Sequence, residues 1–376
     1  MIAPFGIRPK GTLSQRMLPL AQALVRRGHQ VSIVAPPVQN PEDAGTLAVY
    51  DGVPVLHLPL PRLPGPAAIA EQSLALRNAA LWDAPDLLHL FKPKGFGGLA
   101  ALLPRRVPLV VDSDDWEGWG GWNELLPYPY PAKMLFAWQE HHLPRRAQAV
   151  TVASRTLESL VWSYGVQPER VVYLPNGIAP AGDPPTLLAN VAPPTLLLYT
   201  RFWEFAVPDL LAALVVIHQR RPDVRLLVIG KGERAEEQAL LSRAQRAGIA
   251  TMIDYQGWVQ PAQIPALLAQ AQIALVPLDD TLINRARCSA KLIELMAAGL
   301  AVIVGDVGQS REYIRDGENG LLIAPHNPGA LAVAALRLLD DPALTQRLRR
   351  AARHTNHDWN WDRLAPLAER AYQIAV

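Results

Sequence analysis

The chain has 376 residues, half of them hydrophobic, with 36 basic and 34 acidic residues and a formal net charge of +2. This length exceeds what one hydrophobic core usually covers, so the sequence predicts two domains. The near-neutral charge argues against a nucleic-acid-binding domain, and the single cysteine excludes a disulfide framework and most metal-site patterns. No run approaches the roughly 20 apolar residues of a membrane span, and the amino end lacks a signal-peptide pattern. We therefore expect a cytoplasmic protein, either soluble or peripherally attached to a membrane.

Strands alternate with helices along the first half, which predicts a parallel sheet with crossover helices. A strand remnant at 1–4 precedes a helix over 13–27. The predicted strands that follow are 28–34, 53–58, 87–90, 109–112, 149–153 and 171–174.

The same alternation resumes after a proline-rich linker at 180–194. The predicted strands are 196–199, 225–229, 252–256, 273–277 and 301–304. The predicted helices are 209–219, 233–247, 265–271, 292–298 and 328–339. The last stretch, 361–374, is amphipathic and predicts one more helix.

The segment 285–323 carries the densest functional signal. Its apolar residues predict a helix that is buried nearly all round and ends at Gly299, followed by an interior parallel strand. Glu294 lies inside this helix, where a carboxylate is costly without a partner, and a ligand hydroxyl is the simplest partner. An ion pair with Lys291, three residues earlier, is the alternative.

The amino end of this predicted helix has the composition of an anion site. Cys288, Ser289 and Lys291 stand where the backbone amides and the helix dipole favour a phosphate. Ser289 as a plain helix cap is the alternative interpretation.

This segment resembles the nucleotide-sugar site of the family 4 glycosyltransferases. The family pattern is an acid, seven residues, a second acid, Met-Ala-x-Gly, a hydrophobic strand, a glycine turn and a Gly-x-x-Gly-x-Leu-Val close. Glu294 matches the second acid, and the first acid falls on Ala286. The remaining matches are Ala297 to Gly299, Gly308 and Asp316 to Leu322.

The resemblance implies an α/β protein of the GT-B fold. In that fold two Rossmann-like, doubly wound parallel-sheet domains face a central cleft, and the C-terminal helix crosses back to the first domain. The acceptor-binding domain would span 1–178, joined by 358–376, and the donor-binding domain would span 179–357. The implied activity is a retaining transfer of a sugar from a nucleotide-sugar donor to the hydroxyl of a sugar, lipid-linked or small-molecule acceptor. Neither a metal nor another cofactor is expected.

The resemblance assigns the donor diphosphate to Arg201, which matches the arginine of the family's Gly-Arg-Leu segment. The family lysine five residues later is Ala206 here, so we expect Lys291 to supply the second cation. Surface ion pairs are the alternative for both Arg201 and Lys291. Glu294 would accept hydrogen bonds from the ribose hydroxyls.

Further donor contacts are predicted at the glycine turns that follow strands. These positions are Gly11 and Thr12 in the first half, and Lys231, Gly232, Trp258 and Val259 in the second. Trp258 would stack on the base or, alternatively, pack into the protein.

An acidic cluster at 112–117 follows a predicted strand of the first half. Relatives place a histidine near the donor sugar at this strand end, and Asp114 occupies that place, where a carboxylate could accept sugar hydroxyl bonds or orient the acceptor. A solvated acidic loop is the alternative. His89, Lys92 and Lys94 follow the preceding strand and could line the acceptor side, with a solvated face again the alternative.

Two departures from the family pattern leave a second function open. Ala286 and Ala206 replace an acid and a lysine, so the chain could instead be a nucleotide-sugar-binding protein with weak or lost catalysis, acting as a partner subunit.

Overall fold

The computed structural model describes residues 1–8, 11–178 and 193–376, so Lys10 and most of the proline-rich linker lie outside the described residues. The chain divides into two compact units. The first comprises Met1–Pro180, Ala286–Cys288 and Asn360–Val376, and the second comprises Ala181–Arg285 and Ser289–Trp359. Within the described ranges, no helix is both long and apolar enough to cross a membrane.

The first unit is a mostly parallel sheet with crossover helices. Its strands are β1 (Ile33–Ala35), β2 (Leu47–Tyr50), β3 (Val53–His57), β4 (Leu88–Phe91), β5 (Leu109–Ser113), β6 (Ala149–Val152) and β7 (Val171–Tyr173). Its first helices are α1 (Leu18–Arg26), preceded by a π-helical turn at Leu13–Met17, α2 (Gly65–Ala80), α3 (Gly95–Leu102), α4 (Trp122–Leu125), α5 (Tyr130–Arg146) and α6 (Arg155–Ser163).

Ile2 joins the two halves of this first sheet. It bridges Val34 of β1 and Leu90 of β4, so the order is β2-β3-β1-Ile2-β4-β5-β6-β7. Strand β2, an antiparallel partner of β3, was not predicted from the sequence. The turn between them, Asp51-Gly52, has positive φ at both residues, which is the usual signature of a tight hairpin.

The second unit is a six-stranded parallel sheet in the order β10-β9-β8-β11-β12-β13. The strands are β8 (Thr195–Tyr199), β9 (Arg225–Ile229), β10 (Ile253–Gly257), β11 (Ile273–Val276), β12 (Ala301–Gly305) and β13 (Leu321–Ile323). The helices are α7 (Val207–Arg220), α8 (Glu236–Arg246), α9 (Ile264–Leu268), α10 (Leu282–Ala286), α11 (Ala290–Ala297), α12 (Ser310–Tyr313), α13 (Pro328–Asp340) and α14 (Pro342–Thr355). The strand order reverses between β8 and β11, where doubly wound sheets bind ligands beyond the carboxyl ends of their strands.

In the segment 285–323 the predicted interior strand is confirmed, but the prediction of a helix that is buried nearly all round is wrong. All five residues of β12 are buried between two neighbouring strands. On α11, however, Lys291 and Glu294 are only half-buried. They lie three residues apart and therefore on one helix face, which remains partly open to solvent.

The last helix, α15 (Trp361–Ala375), belongs to the first unit, as the sequence predicts. Ala371 and Ala375 pack in one apolar cluster with Val110 of β5, Ala149 of β6 and Val172 of β7. The apolar face of this amphipathic helix therefore covers the sheet of the first unit.

A buried ion pair links several elements of the first unit. Arg16 donates from Nε and one terminal nitrogen to both carboxylate oxygens of Asp112 at 2.7 Å, and both side chains are at most 2% exposed. Arg16 also donates to the carbonyl of Leu174 at 2.8 Å and to Oδ1 of Asn176 at 2.9 Å, and its guanidinium lies over the ring of the buried Trp361. Burial opposes its charge, but Asp112 outweighs burial and raises the pKa of Arg16 above its usual value.

A second buried acid lies below the end of β5. Glu140 of α5 is 1% exposed, and one of its oxygens accepts from Ser113 Oγ at 3.1 Å. Burial and, after it, the negative charge of Glu117 raise its pKa to about 8; Ser113 and Lys92 oppose this shift, and Asp114 adds a smaller contribution to it. Glu140 is therefore protonated at neutral pH.

Removing one partner of the Arg16–Asp112 pair should strongly destabilise the protein. Asp112→Asn leaves a buried arginine uncompensated and should lower the free energy of unfolding by about 3–5 kcal/mol. Asp112→Asn combined with Arg16→Met should cost less than the sum of the two single changes, by roughly 1–3 kcal/mol. Urea unfolding of the four proteins measures this coupling.

The control for that cycle is another Arg–Asp pair of the first unit. Arg26 and Asp362 are each nearly half-exposed, so Arg26→Met should cost about 1 kcal/mol or less. Equal losses from Arg16→Met and Arg26→Met would contradict the assigned role of the buried pair.

Glu140 should make stability fall as the pH rises. The unfolded chain loses this proton near pH 4.5 and the folded chain near pH 8, so the folded state binds more protons between these values. Glu140→Gln keeps a neutral side chain and should gain a few kcal/mol relative to the parent between pH 5 and pH 9. The measurement is chemical denaturation at several pH values, with the exposed Glu169→Gln as the control. A pH-independent difference between Glu140→Gln and the parent would contradict the assignment.

Candidate functional site

The residues predicted to hold a donor follow the strands of the second unit. Arg201 comes after β8, Lys231 and Gly232 after β9, and Trp258 and Val259 after β10. Because these strands are parallel neighbours, their carboxyl ends lie at one edge of the sheet.

The turn that carries Arg201 is organised by Glu204, which is 4% exposed. Its carboxylate accepts from Thr200 Oγ1 at 2.8 Å and from the backbone amide of Arg201 at 3.0 Å. Its carbonyl accepts from Asn284 Nδ2 at 2.7 Å and from the backbone amide of Asp279 at 2.9 Å. The turn is thus anchored to the segment that follows β11.

Lys291 extends from α11 towards this turn. Its Nζ lies 3.6 Å from Glu204 Oε1 and 4.8 Å from the centroid of the Tyr199 ring. The side chain of Lys291 is 22% exposed, so the ammonium is held near the turn but reachable from solvent.

Glu294 lies close to the same group. Burial and the negative charge of Glu294 raise the pKa of Tyr199, and Arg201 acts on that phenol in the opposite direction. Tyr199 thus lies within electrostatic range of Glu294 and Arg201 and against Lys291. Four side chains from β8, its following turn and α11 are therefore gathered in one place.

The glycine turn after β9 packs against the turn after β8. Gly230 has φ of +123°, and a Cβ there would lie 1.8 Å from the carbonyl oxygen of Thr200, so only glycine fits. Gly232 is buried, and its amide donates to Glu237 Oε2 at 2.9 Å, whereas Lys231 is exposed.

Trp258 projects into solvent, with 56% of its surface exposed, and Val259 beside it is half-buried. The alternative that Trp258 packs into the protein is therefore not supported. Its indole ring is free to stack on a planar group.

The neighbouring residues Cys288 and Ser289, just before α11, belong to different compact units. Ser289 is the helix cap, and its side chain accepts from the amide of Leu292. Cys288 groups with the first unit, where its Sγ accepts from the backbone amide of Asn176 at 3.1 Å and its carbonyl from Asn176 Nδ2 at 2.7 Å.

In the first unit, Asp114 is 7% exposed and lies beyond the end of β5. Its Oδ2 accepts from Thr12 Oγ1 at 2.9 Å. Its Oδ1 is buried and forms an ion pair with Lys92 Nζ at 3.0 Å. The amide of Gly11 donates to Ser14 Oγ at 3.1 Å, and Gly11 directly precedes the helical segment that begins at Thr12.

Two buried lysines neutralise the acids around Asp114. Lys92 also contacts Asp115 at 2.6 Å and Glu117 at 3.1 Å, and Lys94 contacts Glu117 at 2.8 Å. Burial opposes the charge on Lys92, but the three acids outweigh burial and raise the pKa of its ammonium well above the usual value. Burial likewise disfavours the Glu117 carboxylate, yet Lys94 and Lys92 lower its pKa to about 2. The alternative of a solvated acidic loop is therefore wrong.

The expectation that His89 lines an acceptor site is also wrong. His89 lies within β4 and is 1% exposed, and its ring nitrogens face Tyr372 Oη at 3.0 Å and Thr151 Oγ1 at 3.3 Å. Burial lowers the pKa of this imidazole well below its usual value, so it is a neutral core residue.

Tyr199 and Glu204 were not predicted as parts of the donor group. Both were detectable from position, because Tyr199 is the last residue of a strand and Glu204 lies three residues after Arg201. Their importance depends on contacts with α11, which follows about 90 residues later.

Two family descriptions match the chain. "Glycosyl transferases group 1" matches residues 193–341, and "Glycosyl transferase 4-like domain" matches residues 11–177. The two matches together cover most of both units.

Individual proteins agree with these matches. The chain is 25% identical to the phosphatidyl-myo-inositol mannosyltransferase of Mycolicibacterium smegmatis, with 99% of this chain and 92% of that protein covered. Its fold resembles the sucrose-phosphate synthase from Thermosynechococcus elongatus, with a TM-score of 0.72, 19% identity and coverage of 94% and 91% of the two chains. It also resembles Anabaena HepE in complex with UDP and glucose, with a TM-score of 0.68, 18% identity and coverage of 100% and 97%. The chain therefore belongs to the family 4 glycosyltransferases and is a glycosyltransferase of the GT-B fold.

Proposed function

We propose that the protein is a retaining glycosyltransferase that moves a sugar from a nucleotide-sugar donor to an acceptor hydroxyl. The observation that carries this proposal is the group formed by Tyr199, Arg201, Lys291 and Glu294 at the strand ends of the second unit. Two cations and one acid, all partly accessible, match the needs of a diphosphate and a ribose.

Arg201 and Lys291 are proposed to stabilise the diphosphate as it leaves. Charge builds on the leaving group in the transition state, and fixed opposite charge is typically the largest catalytic contribution. Lys291 approaches the Arg201 turn through Glu204, which supports its role in place of the family lysine at Ala206. These side chains supply the positive charge, so the proposal includes no metal or other cofactor in the transfer step.

Glu294 is proposed to accept hydrogen bonds from the ribose, and the exposed Trp258 to stack on the base. Gly11, Thr12, Lys231, Gly232, Val259, Cys288 and Ser289 remain proposed donor contacts. Because HepE was solved with UDP and glucose, UDP sugars are the first donors to test.

Asp114 is proposed to act on a sugar or acceptor hydroxyl. Its carboxylate follows the end of β5 and is 7% exposed, and Thr12 and Lys92 fix its orientation. The mannosyltransferase relative is named for a phosphatidyl-myo-inositol acceptor, so lipid-linked polyols are one acceptor class to test, together with sugars and small molecules. A lipid-linked acceptor would fit peripheral attachment to a membrane.

Removing either proposed cation should lower the rate of sugar transfer and leave the protein folded. Arg201→Ala and Lys291→Met should each reduce kcat/KM by about 10²–10³, because each removes one fixed charge from the leaving group. Lys291→Arg should retain more activity than Lys291→Met. The measurements are steady-state transfer from UDP, GDP, ADP and TDP sugars, and calorimetric binding of the corresponding nucleoside diphosphates.

Arg311→Ala is the control for this pair, because Arg311 is 70% exposed and contacts Asp306. Binding of a nucleoside diphosphate without any transfer or hydrolysis of its sugar, combined with an effect of Arg201→Ala on binding alone, would refute the enzymatic proposal. That outcome would support the non-catalytic binding protein instead.

Asp114→Asn should lower kcat by about 10²–10⁴ and leave nucleoside diphosphate binding unchanged, because the amide cannot replace a carboxylate in proton transfer or charge stabilisation. Asp115→Asn is the matched control, since Asp115 contacts the same Lys92 at 2.6 Å but is more exposed. Equal losses of kcat in the two variants would show that the acids act only through Lys92.

A further inference from the structure

We propose that Asp209, Asp279 and His326 form a binding site for a divalent transition-metal ion, best suited to Zn²⁺. The three residues come from separate elements of the second unit. Asp209 lies in the first turn of α7, Asp279 follows β11, and His326 follows β13. One imidazole nitrogen and one oxygen from each carboxylate lie within 4.8 Å of one another.

The distances fit a tetrahedral ion. His326 Nδ1 lies 3.3 Å from Asp279 Oδ1 and 3.6 Å from Asp209 Oδ2. Two ligand atoms that each bind Zn²⁺ at about 2.0–2.1 Å with a tetrahedral angle between them are roughly 3.3–3.4 Å apart. Small side-chain rotations would therefore bring the three ligand atoms to bonding distance.

The chemistry of the donor set selects the class of ion. Ca²⁺ and Mg²⁺ prefer all-oxygen ligands, whereas one nitrogen and two carboxylate oxygens suit Zn²⁺ or Co²⁺. The side chains of His326, Asp209 and Asp279 are 55%, 40% and 19% exposed, so an ion and a fourth ligand such as water can enter.

The charges also favour a cation at this position. Two carboxylates face the same imidazole, and a divalent ion would neutralise both. The neighbouring Asp280 is already paired with Arg285. An imidazolium bridging the two acids without a metal is the competing explanation.

The expected role is to fasten three segments of the second unit. The ion would join the start of α7, the end of β11 and the loop after β13. The backbone amide of Asp279 donates to the carbonyl of Glu204, so the site adjoins the turn that carries Arg201. This inference does not depend on the proposed transfer reaction, because the ion would hold structure and not phosphate.

The test is a titration of the chelator-treated full chain with ZnCl₂ and, separately, with CoCl₂. We expect one equivalent of Zn²⁺ by calorimetry, an increase in Tm, and the intense visible absorption of four-coordinate Co²⁺. Asp279→Asn and His326→Asn should each weaken binding by about tenfold or more and abolish the Co²⁺ spectrum. Asparagine suits position 326 because the backbone there has φ of +53°, a conformation that asparagine tolerates.

Asp280→Asn is the matched control and should bind Zn²⁺ like the parent. Absence of Zn²⁺ binding, or binding that neither Asp279→Asn nor His326→Asn weakens, would overturn the proposal. Nucleoside diphosphate binding by the metal-free protein is measured in parallel, so failure of the ion site and failure of the donor site are distinguishable.

Discussion

The first unit depends on one buried contact, the ion pair between Arg16 and Asp112. A guanidinium and a carboxylate buried to this extent are tolerated only when nearly all their hydrogen-bonding groups are satisfied. Leu174, Asn176 and the ring of Trp361 complete the surroundings of the guanidinium. The requirements of a single charge pair thereby define where the first helical segment, the ends of β5 and β7, and the start of α15 meet.

The same constraint positions the acid proposed to act in transfer. Thr12 precedes Arg16 by four residues, and Asp114 follows Asp112 by two. Arg16 contacts Asp112, and Thr12 contacts Asp114. The two contacts therefore join the same helical segment to the same strand end. The Arg16–Asp112 pair thus holds this segment against the strand end where Thr12 contacts Asp114.

The alternating elements of both units followed from hydrophobic periodicity, because parallel strands buried on both faces leave an apolar run that a sequence displays directly. The crossing of α15 followed from its amphipathic face and the family resemblance. The burial of individual polar residues could not be predicted from hydrophobic periodicity. In sequence, His89 and the acids near Asp114 look like solvated groups. Their tertiary partners, Tyr372 and Lys92, offset the free-energy cost of burying them. The half-open face of α11 is likewise set by what packs against it.

The two alanines that depart from the family pattern replace residues of opposite charge. Ala286 removes an acid and Ala206 removes a lysine, so the pattern loses no net charge. Ala286 is fully buried, and its carbonyl accepts from Ser154 Oγ, so an acid at this position would be removed from water and would need a partner. Lys291 returns a cation from α11, whereas the family lysine would belong to the segment after β8. In the proposed site a diphosphate is then held from two elements, with Arg201 on one and Lys291 on the other, and Glu204 binds the backbone of Arg201 and pairs with Lys291. Charge that is fixed before the reaction needs little reorganisation when the leaving group departs, which is the condition for catalysis and not merely for binding.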